Sequence, residues 1–436
     1  MTLKVAKFGG SSVADAIQIE KIKHIIDADE AIRYVVVSAP GKRFDKDSKV
    51  TDLLYAVKTH LEYDLPYEQL WQVIVDRFSA VAHNLGVTVD LSKDFDEILE
   101  NMKNDASIDY IASRGEYLNA KLIADYMGYD FVDSADMVIF DQWGKLKAEE
   151  TNQAIAEMLK AHDHAVIPGF YGKKADGLVK TFSRGGSDIT GALVARAVNA
   201  DMYENWTDVS GFLMADPRIV KDPKPISSIS YMELRELSYM GASVLHEDAI
   251  YPVRASSIPI NIRNTNRPED PGTIITAEPE SGGDVIKGIA GSKDFTVVAI
   301  YKNQMSTERG FIRRLAGIFE DLDIPIEHIP SGVDTVSVVA ATKYIENRSD
   351  EIAAAIEAQL HPDSVEIHDD IALIATVGCG MSMQAGVAAK LLTALADQDI
   401  NIRMIDQGSS EMNIIVGVEN KDFNTAIEAI YDAFVN

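Results

Sequence analysis

The sequence predicts an α/β protein: a mostly parallel sheet sandwiched by helices, followed by two small βαββαβ modules. Three observations lead there. Short β-rich runs alternate with helix-period segments through the first part of the chain, a Pro- and Gly-rich passage closes that part, and the tail repeats itself. The β-rich runs are "LKVAKF", "YVVVSAP", "HAVIPGF", "MYENWTDV" and "IPINIRN", and segments such as "DLLYAVKTHLEYD" and "DITGALVARAVNAD" lie between them. Strands alternating with helices favour a mostly parallel sheet covered on both faces, with ligands gathered in loops beyond the strand C-termini. The passage "NRPEDPGTIITAEPESGGD" follows the last run and reads as a domain boundary. Beyond it, residues 310–339 align without a gap on 386–415, pairing Gly310 with Gly386, Leu315 with Leu391, Ile324 with Ile400 and Gly332 with Gly408. Each copy reads as strand, helix, strand, strand, with a closing helix in "SDEIAAAIEAQLH" or "NTAIEAIYDAFVN".

Composition narrows the function classes. The chain has 436 residues, enough for two or three domains, and its formal net charge is −27. Such a field repels nucleic acid and anionic membrane surfaces, so neither is an expected partner, and a phosphate site must build a local positive pocket against it. Cys379 is the single cysteine, so no intramolecular disulfide forms and nothing calls for an oxidising compartment. No apolar run approaches membrane-spanning length and no signal-peptide core is present, so a cytoplasmic location is expected.

Several familiar chemistries drop out. No G-x-x-x-x-G-K-[ST] occurs; the lone G-x-G, Gly378-Cys379-Gly380, meets Met383 at its sixth position; and a single cysteine makes no thiolate zinc site. Four loops remain. Lys7-Phe8-Gly9-Gly10-Ser11-Ser12 ends a strand with a cation, two glycines and two hydroxyls, a pattern that suits a phosphate or an ordinary capped turn. Ser38-Ala39-Pro40-Gly41-Lys42-Arg43 follows a buried run, with Thr51-Asp52 shortly after. Ser113-x-x-Glu116 fits a capping box, which the pattern alone favours, although Arg114-Gly115 inside the box leaves room for Glu116 to face a ligand amine. The fourth loop, "TFSRGGSDITGALVARAV", runs from Arg184 through Gly185, Gly186, Ser187 and Asp188 into an amphipathic segment. Helix N-termini hold anions and an adjacent arginine grips carboxylates bidentately; helix capping accounts for Ser187 and Asp188 but not for Arg184-Gly185-Gly186. Thr207-Asp208 at a strand end and Arg218 after a proline complete an anion-binding rim.

These blocks carry a resemblance. "KFGGSSVAD", "SRGE", "SRGGSDITGALVARAVNAD", "WTDVSGFLMADPR" and "GASVLH" stand in the order found in aspartokinases of the amino acid kinase superfamily, and the tail repeat is similar to their paired ACT domains. The resemblance spans nearly the whole chain. It implies an amino acid kinase catalytic domain over residues 1–280, a first ACT-type module over 281–370 and a second over 371–436, the two interleaved. It further implies transfer of phosphate from Mg-ATP to the β-carboxylate of L-aspartate, the committed step toward lysine, threonine and methionine. By motif, Lys7, Phe8, Gly9, Gly10, Ser11, Thr207, Asp208, Leu213 and Arg218 would hold ATP, with Mg2+ accompanying the nucleotide and no protein metal ligand assigned. Ser38, Thr51, Glu116, Arg184, Gly185, Gly186 and Ser187 would bind aspartate, and Lys7, Arg184 and Asp188 would carry catalysis, Asp188 by orienting Lys7. Two departures stand out: many relatives have tyrosine in place of Leu213 and lysine in place of Ser243.

For the tail, the resemblance implies an amino-acid effector, lysine or threonine, at a homodimer interface. The matching positions are Met305, Ser306, Thr307, Glu308, Phe311, Ile312, Ile326, Glu327, Gly332 and Val333, with Glu327 suited to an effector amine. Kinases of acetylglutamate, glutamate, carbamate or UMP lack the twin modules. A catalytically dead sensor has no need of Lys7, Glu116, Arg184 and Asp188 together.

Overall fold

The computed structural model describes residues 2–183, 185–241, 252–254, 256–279 and 284–435. The chain divides into two compact units, residues 1–212, 225–231 and 244–280 forming one and residues 213–224, 232–243 and 281–436 the other.

The first unit is built on an eight-stranded sheet. Its strands are β1 (Lys4–Phe8), β2 (Ile32–Val37), β3 (Asp130–Phe131), β5 (Ala165–Pro168), β8 (Met202–Thr207), β9 (Ser228–Ser230), β10 (Ile260–Asn264) and β11 (Thr273–Thr276), in the spatial order β3-β5-β2-β1-β8-β10-β11-β9. Every pairing is parallel except β10 with β11. A second, three-stranded sheet joins β4 (Ile139–Phe140), β6 (Tyr171–Lys174) and β7 (Val179–Thr181). β11 falls within the Pro- and Gly-rich passage taken from the sequence as a boundary, so that passage still contributes a strand to the first unit. Its alternating burial shows why: Thr273 and Ile275 are buried on one face, the threonine hydroxyl satisfied by the Ile226 carbonyl and the Phe212 N–H.

The pleat of the central strand decides where the polar groups go. Phe8 is fully buried and stacks on Trp206 at 5.9 Å between ring centroids, within an apolar core shared with helices Ala16–Asp27, Val50–Glu62, Glu68–Leu85, Ser92–Lys103 and Ile108–Met127. Lys7, one residue earlier, points to the opposite face, level with Asn205 on β8. Helix Gly186–Ala197 packs close to β8, and glycine permits the approach: a Cβ at Gly191 would lie 2.6 Å from the Tyr203 hydroxyl, which itself donates to the Asp188 carbonyl at 3.1 Å.

The second unit carries a five-stranded antiparallel sheet in the order β13-β12-β14-β16-β15, from β12 (Gly288–Tyr301), β13 (Thr335–Ala341), β14 (Ser364–Val377), β15 (Met404–Asp406) and β16 (Asn413–Glu419). β12 and β14 each run 14 residues and serve both copies of the repeat. The later half of β12 pairs with β13 and with the start of β14, while its first residues, Gly288 to Ser292, pair with Leu373 to Val377 of β14, whose far side bonds β16. Register irregularities between Ser292 and Val297 mark the changeover. Helices Phe311–Asp321 and Ser349–Leu360 cover the first copy around Val298, Phe311, Leu315 and Phe319, and helices Val387–Ala396 and Phe423–Val435 belong to the second. The extra strand expected near residue 327 is reduced to isolated bridges, His328 with Val339 and Ser331 with Val336. Pro325 and Pro330 bracket that stretch and remove two ladder donors. The His328 imidazole and the Asp406 carboxylate, one from each copy, meet at 2.8 Å.

An exposed helical Gly→Ala change ordinarily gains about 0.5–1 kcal/mol. Gly191→Ala should reverse that sign, because overpacking against Tyr203 costs about 1–3 kcal/mol. Urea unfolding of the variant should give a lower midpoint than the wild type.

Candidate active site

The carboxyl ends of β1, β2, β5 and β8 turn toward the same edge, as parallel register requires, and the loops leaving them form the site. β1 runs into Gly9, whose N–H donates to the Trp206 carbonyl at 3.0 Å, and then into a short 3-10 turn, Gly10–Val13. Glycine at position 10 lets the loop after β2 come close. A Cβ at Gly10 would lie 3.1 Å from the Ala39 carbonyl oxygen, and one at Gly41 only 2.7 Å from the Gly10 carbonyl group. The two backbones are joined by Gly41 N–H donating to Gly10 O at 2.8 Å.

Lys7 is 7% exposed, and its ammonium forms an ion pair with Asp188 at 2.5 Å. Asn205 donates its side-chain amide to the same carboxylate oxygen at 2.8 Å. Asp188 sits in the first turn of helix Gly186–Ala197, whose N-cap is Gly185 at φ +57°, a left-handed conformation that glycine adopts without strain. No side chain caps this helix, so the capping role anticipated for Ser187 is not observed. Ser187 is buried against Gly169, where a Cβ would lie 2.6 Å from the serine Cβ. The first-turn N–H groups and the macrodipole favour negative charge at this end, which suits both Asp188 and an anionic ligand.

Glu116 corrects a second capping expectation. Helix Ile108–Met127 begins at Ser107, whose hydroxyl accepts from the Tyr110 N–H, so Ser113 and Glu116 lie inside the helix rather than at its start. Buried apolar residues before the motif and through the roughly three turns after it carry the helix through it. Gly115 allows contact with the loop after β2: a Cβ there would lie 2.7 Å from that of Ala39. Asn119 holds the same loop by donating to the Ser38 carbonyl at 2.8 Å. Glu116 is therefore buried, and one carboxylate oxygen has no partner. Burial pushes its pKa up to about 8, opposed by the Ala39 backbone N–H and by Arg114. The Arg114 guanidinium lies over the rings of Tyr110, Tyr117 and Tyr171 at 4.5, 4.6 and 5.3 Å.

The remaining expected residues divide. Ser38, at the end of β2, and Thr51, in the first turn of helix Val50–Glu62, are half-buried. Ser11 and Asp208 are exposed, Thr207 ends β8, and the Phe8 side chain is turned into the core, leaving only its backbone for a ligand. Leu213 and Arg218 belong to the second compact unit, where Arg218 grips Asp216 through several hydrogen bonds of 2.5–3.0 Å. Arg184 and Ser243 lie outside the described residues. Lys42 is exposed, and Arg43 is bound by Asp47 at 2.8 and 2.9 Å. Among the described residues no group of three or more His, Cys, Asp or Glu side chains is placed to hold a metal ion, and no helix is long and apolar enough to cross a membrane.

In the second unit, Met305 and Phe311 are core residues, whereas Ser306, Thr307, Ile312, Gly332 and Val333 are exposed. Glu308 is engaged by Lys302 at 2.6 Å and by Arg314, which hold its carboxyl below the ordinary range. Ile326 is half-buried, and the Glu327 carboxylate accepts a hydrogen bond from the Tyr239 hydroxyl.

An open, mostly parallel α/β sheet with a lysine, two glycines and a helix N-terminus at its carboxyl edge is suited to receive an anion such as a phosphate. The sequence pattern of the amino acid kinase family matches residues 2–264, and that of an ACT domain matches residues 374–434. Aspartokinase 3 of Bacillus subtilis is 36% identical over 99% of this chain and 98% of its own. The crystal structure of Clostridium acetobutylicum aspartate kinase is 50% identical and superposes with a TM-score of 0.93 over 100% of both chains. Escherichia coli aspartokinase III, solved with aspartate and ADP and also with lysine and aspartate, shares the fold with a TM-score of 0.74 at 24% identity over 100% of both chains. The chain belongs to the amino acid kinase family and, within it, to the aspartokinases.

The raised pKa of Glu116 has a defined sign. The folded protein holds this proton more tightly than the unfolded chain, so the contribution to stability is complete below the ordinary value of 4.5 and is lost as pH rises through about 8. Glu116→Gln, which cannot ionise, should therefore gain stability relative to wild type between about pH 5 and pH 9. Thermal melts of both proteins at the two ends of that window measure the difference.

Proposed function

We propose that the chain transfers the γ-phosphoryl group of Mg-ATP to the β-carboxylate of L-aspartate, giving 4-phospho-L-aspartate, and that the residues at the sheet edge carry the reaction. The observation that supports this most is the buried Lys7 ammonium, fixed by Asp188 beside a glycine turn and a helix N-terminus. Lys7 and the N–H groups of Gly9, Gly10 and Ser11 receive the β- and γ-phosphates, and Thr207 and Asp208 border the nucleotide. Magnesium arrives with the nucleotide and shares the neutralisation of its charge. Ser38, Thr51, Ser187 and the glycines before it receive aspartate, with Arg184 on a carboxylate. The unpartnered oxygen of Glu116 takes the α-ammonium, which draws its proton off and restores the ionised form.

The nucleophile is a carboxylate, already anionic near neutral pH, so no general base is required. Catalysis rests on holding the two anions in line and on spreading charge at the transferring group. Asp188 does not take a proton in this scheme. It sets the direction of the Lys7 ammonium, and Asn205 fixes Asp188 in turn.

The tail acts as a regulatory unit. We assign feedback inhibition by lysine, with threonine as a second candidate, to the first ACT module, in a cytoplasmic homodimer joined through these modules. Glu327 offers a carboxylate to an effector ammonium, which would exchange with the Tyr239 hydroxyl that donates to it. The lysine complex of the Escherichia coli relative supports the choice of effector.

Coupled ADP release tests both halves. Aspartate should support turnover while glutamate, acetylglutamate and UMP do not, and millimolar lysine should lower the rate. Turnover with another acceptor would contradict the substrate assignment. Rates unchanged by lysine, by threonine and by their mixture would contradict the regulatory one.

A further inference from the structure

Arg77 lies in helix Glu68–Leu85, away from every motif in the sequence, yet it is 5% exposed. A buried guanidinium is costly unless its donors and its charge are matched. Here the two terminal nitrogens are matched by backbone from two loops, while Nε has no partner. Arg77 donates to the Ala14 carbonyl at 3.2 Å, to the Ser48 carbonyl at 2.8 Å and, by a short contact, to the Gly41 carbonyl. Asp47 supplies the counter-charge at 3.6 Å and is itself gripped by Arg43. Burial lowers the pKa of Arg77, Asp47 opposes that shift, and the group stays a cation.

The loops that meet on this side chain are those of the site. Ala14 closes the turn that begins with Gly9, Gly10 and Ser11; Gly41 and Ser48 bracket the segment between Ser38 and Thr51. Gly41 takes Arg77 on its carbonyl and gives its N–H to Gly10, so guanidinium, second loop and glycine turn form one chain of hydrogen bonds. At Gly10 and Gly41 the two loops also meet backbone against backbone.

We propose that Arg77 is a positioning residue for phosphoryl transfer: by binding Ala14, Gly41 and Ser48 together, it sets the distance between the loop that receives the nucleotide phosphates and the loop that receives the acceptor carboxylate. The proposal rests on the assignment of those loops made above. A planar fork reaches three carbonyls at once, which a lysine ammonium of different shape and reach does not reproduce. Misplacement by about 1 Å is enough to cost about a hundredfold in rate when two reactants must be held in line.

Two independent variants test it. Arg77→Met keeps the bulk and removes the fork, and Gly41→Ala leaves Arg77 intact but places a methyl 2.7 Å from the Gly10 carbonyl group, wedging the loops apart. Initial rates are measured with ATP and aspartate each varied, beside wild type and Arg77→Lys, with far-UV circular dichroism to confirm folding. We expect the KM values for both substrates to rise together, by about tenfold or more, with kcat lowered as well, in Arg77→Met and in Gly41→Ala. Arg77→Lys should fold and fail to restore either KM. A residue that served only the fold would lower the amount of active enzyme and leave both KM values in place. Folded variants whose KM values stay within about twofold of wild type overturn the proposal. Should Arg77→Met not fold, Gly41→Ala decides alone by the same criterion. A wild-type enzyme that does not phosphorylate aspartate overturns the loop assignment itself, and the proposal with it.

Discussion

The ion pair between Lys7 and Asp188 is the constraint around which the catalytic unit is organised. Taking an ammonium and a carboxylate out of water is expensive, and the attraction between them offsets that cost only when the geometry is good and the remaining donors are satisfied. The fold meets both conditions through register. β1 pairs with β8 so that Lys7 stands level with Asn205, and the pleat sends both side chains to the face that helix Gly186–Ala197 covers. Asp188 then comes from the first turn of that helix, where the N-terminal dipole already favours a negative group. Asn205 satisfies the same oxygen that Lys7 contacts. The result is a cation held in one direction, at the edge of the sheet, in a protein whose net charge is −27.

Glycine makes the arrangement possible where backbone must approach closely. At Gly191 the helix meets Tyr203, at Gly169 the β5 loop meets Ser187, and at Gly10 and Gly41 two loops touch main chain to main chain. Such contacts bring N–H groups toward a ligand without intervening side chains. Buried polar groups on neighbouring helices hold these loops as well. Asn119 holds Ser38, and the Arg77 guanidinium holds Ala14, Gly41 and Ser48.

Much of this was legible in the sequence, and the parts that were not share a physical cause. The alternation of "YVVV" and "HAVIP" with helical segments specified a parallel sheet, and the gapless match of 310–339 on 386–415 specified the two copies of the tail. Lys7, Glu116 and Asp188 stood out because each charge lies in a glycine-bearing stretch suited to face a ligand. The start of helix Ile108–Met127 was misplaced because Ser113 and Glu116 satisfy a capping pattern that Ser107 fulfils in fact. Asn205 and Arg77 carried no local signal at all: an asparagine in a strand and an arginine in a helix are ordinary until register and tertiary packing set their neighbours. The interleaving of the two tail copies was expected from the family resemblance alone, since it depends on β12 and β14 running on past the point where a single module would end, which no local pattern marks. The segments 213–224 and 232–243, which join the second compact unit, have no compositional mark to set them apart.

A double-mutant cycle on kcat/KM for aspartate phosphorylation probes the central pairing most directly, using Lys7→Met, Asp188→Asn and the two combined. If Asp188 acts by directing the Lys7 ammonium, each single change should cost a large factor, and the second should cost little once the first is made. Losses that simply multiply, or an Asp188→Asn enzyme close to wild type, would show that the two groups work independently and would contradict the role given to their contact.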